Sequence, residues 1–232
     1  MTMAGRSMSM KRRRTKNKKL MVPSIYSLPD ELVKEVLARV AASSFTDFFS
    51  AKLSCKVFHE VADDKDVIQR VSLERIQVLL WRKSENAASF LTRCKESGNP
   101  EALYRQGVEE FFSYMRLESA LESLEKAAKC GHIGALYALG IILLFSGDEF
   151  KQRGMELLSG MNKSKVMSRR VKECRENLKA VMRGIWIRNS LIQRPTCCRM
   201  SNEHQKRRTW WPEDYPQCKA CMCDEEVTSI FY

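Results

Sequence analysis

Three cysteines, Cys218, Cys221 and Cys223, stand within six residues near the end of the chain, in the stretch QCKACMC. Two thiolates two residues apart can reach one ion from a single tight turn, at a Zn–S distance of about 2.3 Å. Cys218 and Cys221 are therefore the first candidates for a structural zinc ion, with Cys223 as third ligand and Cys197, or its neighbour Cys198, as fourth. His204 is a further nitrogen donor in reach, although its charged surroundings read as an exposed surface. The same residues also suit free thiols packed against helices, or an irregular end with no metal, so the cofactor reading is one structural zinc or none. A redox-active pair is not expected, because no βαβ pattern surrounds the CxxC.

Other chemistry is sparse. The chain has three histidines, His59, His132 and His204, with no GxSxG, no P-loop and no glycine-rich nucleotide turn. His132 falls between two helical patterns, where a polar residue is ordinary. The expectation is a protein without catalysis of its own.

Charge divides the chain sharply. Residues 1–19 carry +8, 20–162 carry −3, 163–208 carry +11 and 209–232 carry −4. A nucleic-acid domain would be basic across its body, so nucleic acid is not the expected partner. The early run KRRRTKNKK, Lys11–Lys19, has too few apolar neighbours to order itself and reads as an import signal or a solubilising tail, placing the protein in the nucleus and/or cytoplasm. Nine cysteines without a secretory leader point to reduced thiols, and the longest apolar run, 138–145, is too short to span a bilayer.

Elements must position these groups, and all of them read as helices. In SLPDELVKEVLARV, residues 27–40, Ser27 is a candidate cap, Pro29 fits a first turn, and Asp30 and Glu31 favour the positive end of the helix dipole. Leu28, Leu32, Val33, Val36, Leu37 and Val40 recur at helical spacing on one broad apolar face. Ser43 and Ser44 end the pattern, and a second helix follows with Phe45, Phe48, Phe49 and Leu53 on one side.

This arrangement resembles the F-box, a helical module that docks on the Skp-type adaptor of cullin-RING ubiquitin ligases. The resemblance rests on LPDELVKEVLARV from Leu28, LSCKVF from Leu53 and DDKDVIQRVSL from Asp63, and covers about 46 residues, from Leu28 to Leu73. It implies adaptor contacts from Leu28, Pro29, Val36, Leu37 and Phe48. The connection AASSFT is longer than usual and lacks the common proline, and Phe58 stands where tryptophan is usual.

A repeat of period 33 follows: GNPEALYRQG at 98–107 aligns with GHIGALYALG at 131–140. The segment KAAKCGHIGALYALG from Lys126 resembles Sel-type repeats, relatives of the tetratricopeptide repeats, over about 98–160. The second unit is worn, since QRGMELLSG matches LESALESLEKAA only loosely, and two such units need capping neighbours. Met167, Val171, Cys174, Leu178, Val181, Met182 and Ile185 then form the apolar stripe of a basic helix, read as that cap rather than as a calmodulin-type target.

The expected fold is all-α. Its segments are a basic tail at 1–22, an F-box at 23–73, a linking helix at 74–97, repeats at 98–162, a capping helix at 163–194 and an irregular Cys/Trp-rich tail at 195–232. Trp210 and Trp211 are expected to cover an apolar helix surface. The resemblance implies a substrate-recognition subunit that binds a Skp-type adaptor, through it a cullin, and an unknown protein substrate held by the repeats or tail. The alternatives are a non-ligase helical scaffold and a basic nucleic-acid binder.

Overall fold

The first helix starts at a proline that donates nothing and accepts twice. Pro29 holds φ −56° and ψ 144°, and its carbonyl takes the N–H groups of Leu32 and Val33 at 3.0 and 3.2 Å. Ser27, expected as the cap, instead closes a 3-10 turn at Ile25–Ser27. In this computed structural model, which describes residues 25–73, 85–161, 165–190, 197–200, 204 and 218–231, eleven α-helices follow and no strand occurs among those residues. The basic run at 11–19 and the Trp210–Trp211 pair lie outside the described residues.

α1 (Asp30–Ser43) ends at Ser44, whose extended backbone turns the chain and whose hydroxyl accepts the Asp47 N–H to cap α2 (Phe45–Ser54). Two short helices, α3 (Lys56–Val61) and α4 (Lys65–Arg70), complete the module. Its core is Leu37, Ala38, Ala41, Phe48, Ala62, Val67 and Ile68, extended by Phe90, Leu91 and Cys94 of α5 (Glu85–Glu96). Phe45, Phe49 and Phe90 meet at ring separations of 4.7–5.9 Å in tilted and edge-on pairs. Leu53, expected beside the phenylalanines, shares their face as i+4 of Phe49 but stands in the last turn of α2 and is exposed.

One asparagine joins this module to the next. Asn99, almost wholly buried, caps α6 (Pro100–Phe112) by accepting the Glu101 and Ala102 N–H groups through Oδ1. Its Nδ2 donates to the carbonyls of Ile68 and Val71 at the end of α4. All the polar capacity of the amide is thus spent on fixing the angle between the two units.

The repeat then emerges as two helical hairpins. α6 pairs with α7 (Leu117–Lys129), and α8 (Ile133–Phe145) pairs with α9 (Asp148–Met161). α6 and α8 start 33 residues apart, at Pro100 and Ile133, each after a left-handed glycine, Gly98 at φ 77° and Gly131 at φ 85°. Within the hairpins Gly107 lies under Leu124 and Gly140 under Leu158, so close that a Cβ would fall 2.6 and 2.9 Å from a leucine carbon. Close approach at a glycine is therefore a feature of both pairs. α8 is apolar all round and sits centrally, with Tyr137 to Phe145 all buried.

α10 (Lys165–Arg183) lays Val171, Cys174, Leu178 and Met182 onto α6, α8 and α9, keeps Arg169, Arg170, Lys172 and Arg183 outward, and turns Arg175 toward the last helix. Within the tail read as irregular, residues 219–231 form a helix, α11 (Lys219–Phe231), that buries Cys223, Val227 and Ile230. Their spacing of four and three is a helical face, which the reading of Cys223 as a ligand concealed.

Candidate functional site

The apolar face of α1 divides. Val33 and Leu37 are 1% exposed and Ala41 is fully buried, whereas Leu28, Leu32 and Val36 are 39%, 51% and 45% exposed. Leu32 and Val36 stand one turn apart on the outer face of α1, and Leu28 and exposed Pro29, just before the helix, extend that ridge. Five residues were expected to contact an adaptor, and the structure separates them. Leu28, Pro29 and Val36 are available, but Leu37 and Phe48 are each 1% exposed and belong to the module's own core. That part of the expectation is corrected: α2, α3 and α4 pack on the Leu37 side and take it as their interior. Leu32 belongs to the ridge, as its i+4 relation to Leu28 already signals, and Leu53 adds an exposed leucine at the end of α2.

Charge pairs link the helices of the module behind this ridge. Asp63 accepts from Lys52 at 2.6 Å and Arg93 at 2.8 Å, tying α2 and α5 to the α3–α4 turn. Glu35 accepts from Arg39 and Arg70, and those hydrogen bonds hold its carboxyl below the usual range.

A second constellation forms at the start of α11. The ligand atoms of Cys198, His204, Cys218 and Cys221 lie within 4.8 Å of one another. His204 Nδ1 is 3.3 Å from Cys198 Sγ and 3.4 Å from Cys221 Sγ. Cys218 precedes the first turn of α11, where the Cys221 N–H lowers its thiol below the ordinary range, against burial, with help from the Ala220 N–H. Cys221 is pushed up to about 12, first by burial and then by the Cys198 and Cys218 sulfurs. The sulfurs resist sharing more than one negative charge, and a cation would relieve that repulsion. The cluster is compatible with one structural metal.

Two of the expected ligands stand elsewhere. Cys223 is 1% exposed in the core between α9 and α11, with its thiol raised to about 12 by burial and then by Asp224. Cys197 is turned from the cluster, and burial together with Asp224 raises its thiol. Cys198 and His204 take their places, the first an alternative the sequence left open and the second a residue that had read as exposed.

The other described histidine at a helix start holds the fold. His132 caps α8 by accepting the Ala135 N–H at Nδ1, so its Nε2 carries the proton and donates to Glu101 at 2.8 Å. Its ring stacks on Tyr104 at 4.9 Å. Around this triad, the starts of α6 and α8 and the outer side of α10 enclose a groove of about 810 Å³ lined by Glu101, Arg105, His132, Arg170, Glu173 and Asn177, among others. Among the described residues no helix is long and apolar enough to cross a membrane.

Comparison with known proteins fits both halves of this geometry. A family model of plant tetratrico peptide repeats matches residues 73–183, from the last residue of the first module through α10. The chain is 37% identical over 163 residues to a candidate F-box protein of Arabidopsis thaliana, covering 69% of this chain and 54% of that one. A second F-box protein from the same plant is 31% identical over 137 residues, with 58% and 36% covered. A third is 27% identical over 132 residues, with 56% and 78% covered. The chain spans about half the length of the first of these relatives and about a third of the second. No solved structure matches it. With its helical ridge and its paired hairpins, the chain is similar to plant F-box proteins and, over 73–183, to plant tetratrico peptide repeats.

Proposed function

We propose that the chain is a substrate-recognition subunit of a cullin-RING ubiquitin ligase. It docks on a Skp-type adaptor through the outer ridge of α1, reaches a cullin through that adaptor, and holds a protein substrate on its repeats or C-terminal segment. It has no catalysis of its own and works in the nucleus and/or cytoplasm. The observation that carries this reading is the exposure of Leu32 and Val36 in register on α1, with Leu28 exposed just before it, while the opposite face of the helix is buried. Burying the exposed half of such a side chain contributes about 1 kcal/mol, so three of them with Pro29 supply a hydrophobic centre for an interface. The groove beside Glu101 and Arg170 is the concave surface on which a substrate segment fits. One zinc ion in the Cys/His cluster completes the reading, as a structural cofactor.

The test uses the full chain and a recombinant Skp-type adaptor. The Leu32→Asp, Val36→Asp double variant loses binding by more than tenfold while its thermal melt stays at the wild-type position. Wild-type binding by that variant refutes the docking mode.

A further inference from the structure

We propose that the zinc ligands are Cys198, His204 through Nδ1, Cys218 and Cys221, and that filling this site fastens α11 to the repeat core. The proposal rests on the zinc reading above and adds the ligand set and the consequence of binding. A tetrahedral ion with Zn–S of about 2.3 Å and Zn–N of about 2.0–2.1 Å places neighbouring ligand atoms roughly 3.5–3.8 Å apart. The Nδ1 to Sγ separations of 3.3 and 3.4 Å are already near that spacing, and all four atoms fall within 4.8 Å. Three thiolates and one imidazole make a closed structural set.

Helix geometry decides which cysteines of QCKACMC take part. At about 100° per residue, Cys218 and Cys221 lie roughly 60° apart around the axis of α11, whereas Cys223 lies about 160° away from Cys221. Cys223 accordingly points into the core with Val227, and no one ion reaches both sides of the helix. Asp224 fixes the other half of the set. Its carboxylate oxygens accept the Cys197 N–H at 2.7 Å and the Cys198 N–H at 3.0 Å, which clamps the backbone of Cys198 onto α11. The same clamp occupies the Cys197 position with a backbone bond and leaves its thiol outside the cluster.

The consequence runs along α11. Five residues beyond Cys221, Glu226 takes both ends of Arg175 on α10 at 2.8 and 2.6 Å and accepts the hydroxyl of Tyr137 on α8. Tyr137 is fully buried and Glu226 is 12% exposed, so the docked helix closes a polar contact inside the core. A helix of 13 residues is marginal by itself. An ion joining its first turn to Cys198 and His204 restrains the end opposite to Ile230 and Phe231, and so favours the docked state in which Glu226 is paired.

Full-length protein purified without chelator decides the matter. Zinc content is measured by elemental analysis, and cobalt is substituted to read the thiolate charge-transfer band. Wild type holds about one zinc per chain; Cys198→Ser and His204→Ala each weaken zinc binding at least tenfold, while Cys197→Ser keeps wild-type content. A wild type that binds zinc while Cys198→Ser and His204→Ala bind it unchanged overturns the ligand set, and so does loss of zinc in Cys197→Ser. A metal-free wild type instead refutes the zinc reading itself. For the fastening, hydrogen exchange is followed before and after chelation: residues 219–231 lose protection while α1 to α4 keep theirs. Unchanged protection of 219–231 after zinc removal overturns it.

Discussion

α1 and α8 are both rich in apolar residues, yet they end in opposite situations. α8 is surrounded by α6, α7, α9 and α10, and from Tyr137 to Phe145 nothing apolar is left outside. Among the described residues α1 packs mainly against the small helices α2, α3 and α4, on one side, and Leu32 and Val36, with Leu28 just before the helix, stay exposed. Apolar content alone therefore does not tell a core helix from an interface helix. The number of neighbours that the rest of the chain supplies decides it, and the surplus on α1 is the surface on which the proposed docking rests.

The comparison is broken most directly by truncating the two sides of α1 in turn. Leu37→Ala opens a cavity in the first module and destabilises it by about 3 kcal/mol, the usual range for a fully buried leucine. Leu32→Ala changes stability by no more than about 0.5 kcal/mol, since it only trims an exposed side chain. Urea denaturation of both variants gives the two numbers. Equal costs would mean that the ridge is packed within the chain, and the contrast with α8 would collapse.

The repeats carry a second internal contrast, between glycines that meet a neighbour and one that does not. Gly107 admits no Cβ, because Leu124 would stand 2.6 Å away and the Ala120 carbonyl 3.0 Å. Gly107→Ala therefore costs about 1–3 kcal/mol through displacement of α7. At Gly160, near the end of α9, an added methyl would meet nothing within 4 Å, so Gly160→Ala gains up to about 1 kcal/mol from helix propensity. Opposite signs in thermal denaturation are the expected result. A stabilised Gly107→Ala would show that the hairpins are looser than the contacts with Leu124 imply.

These particulars also show what is legible in the sequence. The starts of α6 and α8 follow from the aligned glycines, alanines and tyrosines at a spacing of 33, because backbone conformation and close packing both demand particular residue types there. The second helices are harder to align: Ala120 and Leu124 correspond to Gly154 and Leu158, so the spacing steps to 34 between hairpins. In the first module the periodicity of α1 gives the apolar residues, but not which half is claimed by α2, α3 and α4. Leu37 and Phe48 are misassigned for that reason. In the tail, cysteine reads as a metal ligand, while Cys223 serves as a small apolar side chain on the face it shares with Val227 and Ile230. Cys198 and His204 join Cys218 and Cys221 only through tertiary folding, across a separation that no local pattern marks.

The smallest expected effect concerns charge, and it contrasts a carboxylate inside the repeat junction with one outside. Burial by itself would raise the Glu101 carboxyl, but the His132 hydrogen bond and the Arg105 guanidinium outweigh it and leave the group below its usual range. Glu122 is also lowered, by Lys126, but on an open helix surface where solvent and salt screen the pair. A carboxyl whose folded pKa lies below its unfolded value contributes stability above the unfolded value, about 4.3 for glutamate, and loses that contribution as the pH falls through the folded value. The stability difference between wild type and Glu101→Gln is therefore full at pH 7, still nearly full at pH 5.5, and shrinks as the pH is taken below about 4.3. Glu122→Gln differs little from wild type at any of these values. Urea midpoints for the three proteins at pH 7, 5.5 and 3.5 provide the measurement. A Glu101→Gln deficit that stays constant to pH 3.5 would show that the bond to His132 acts through its geometry alone and not through the charge on Glu101.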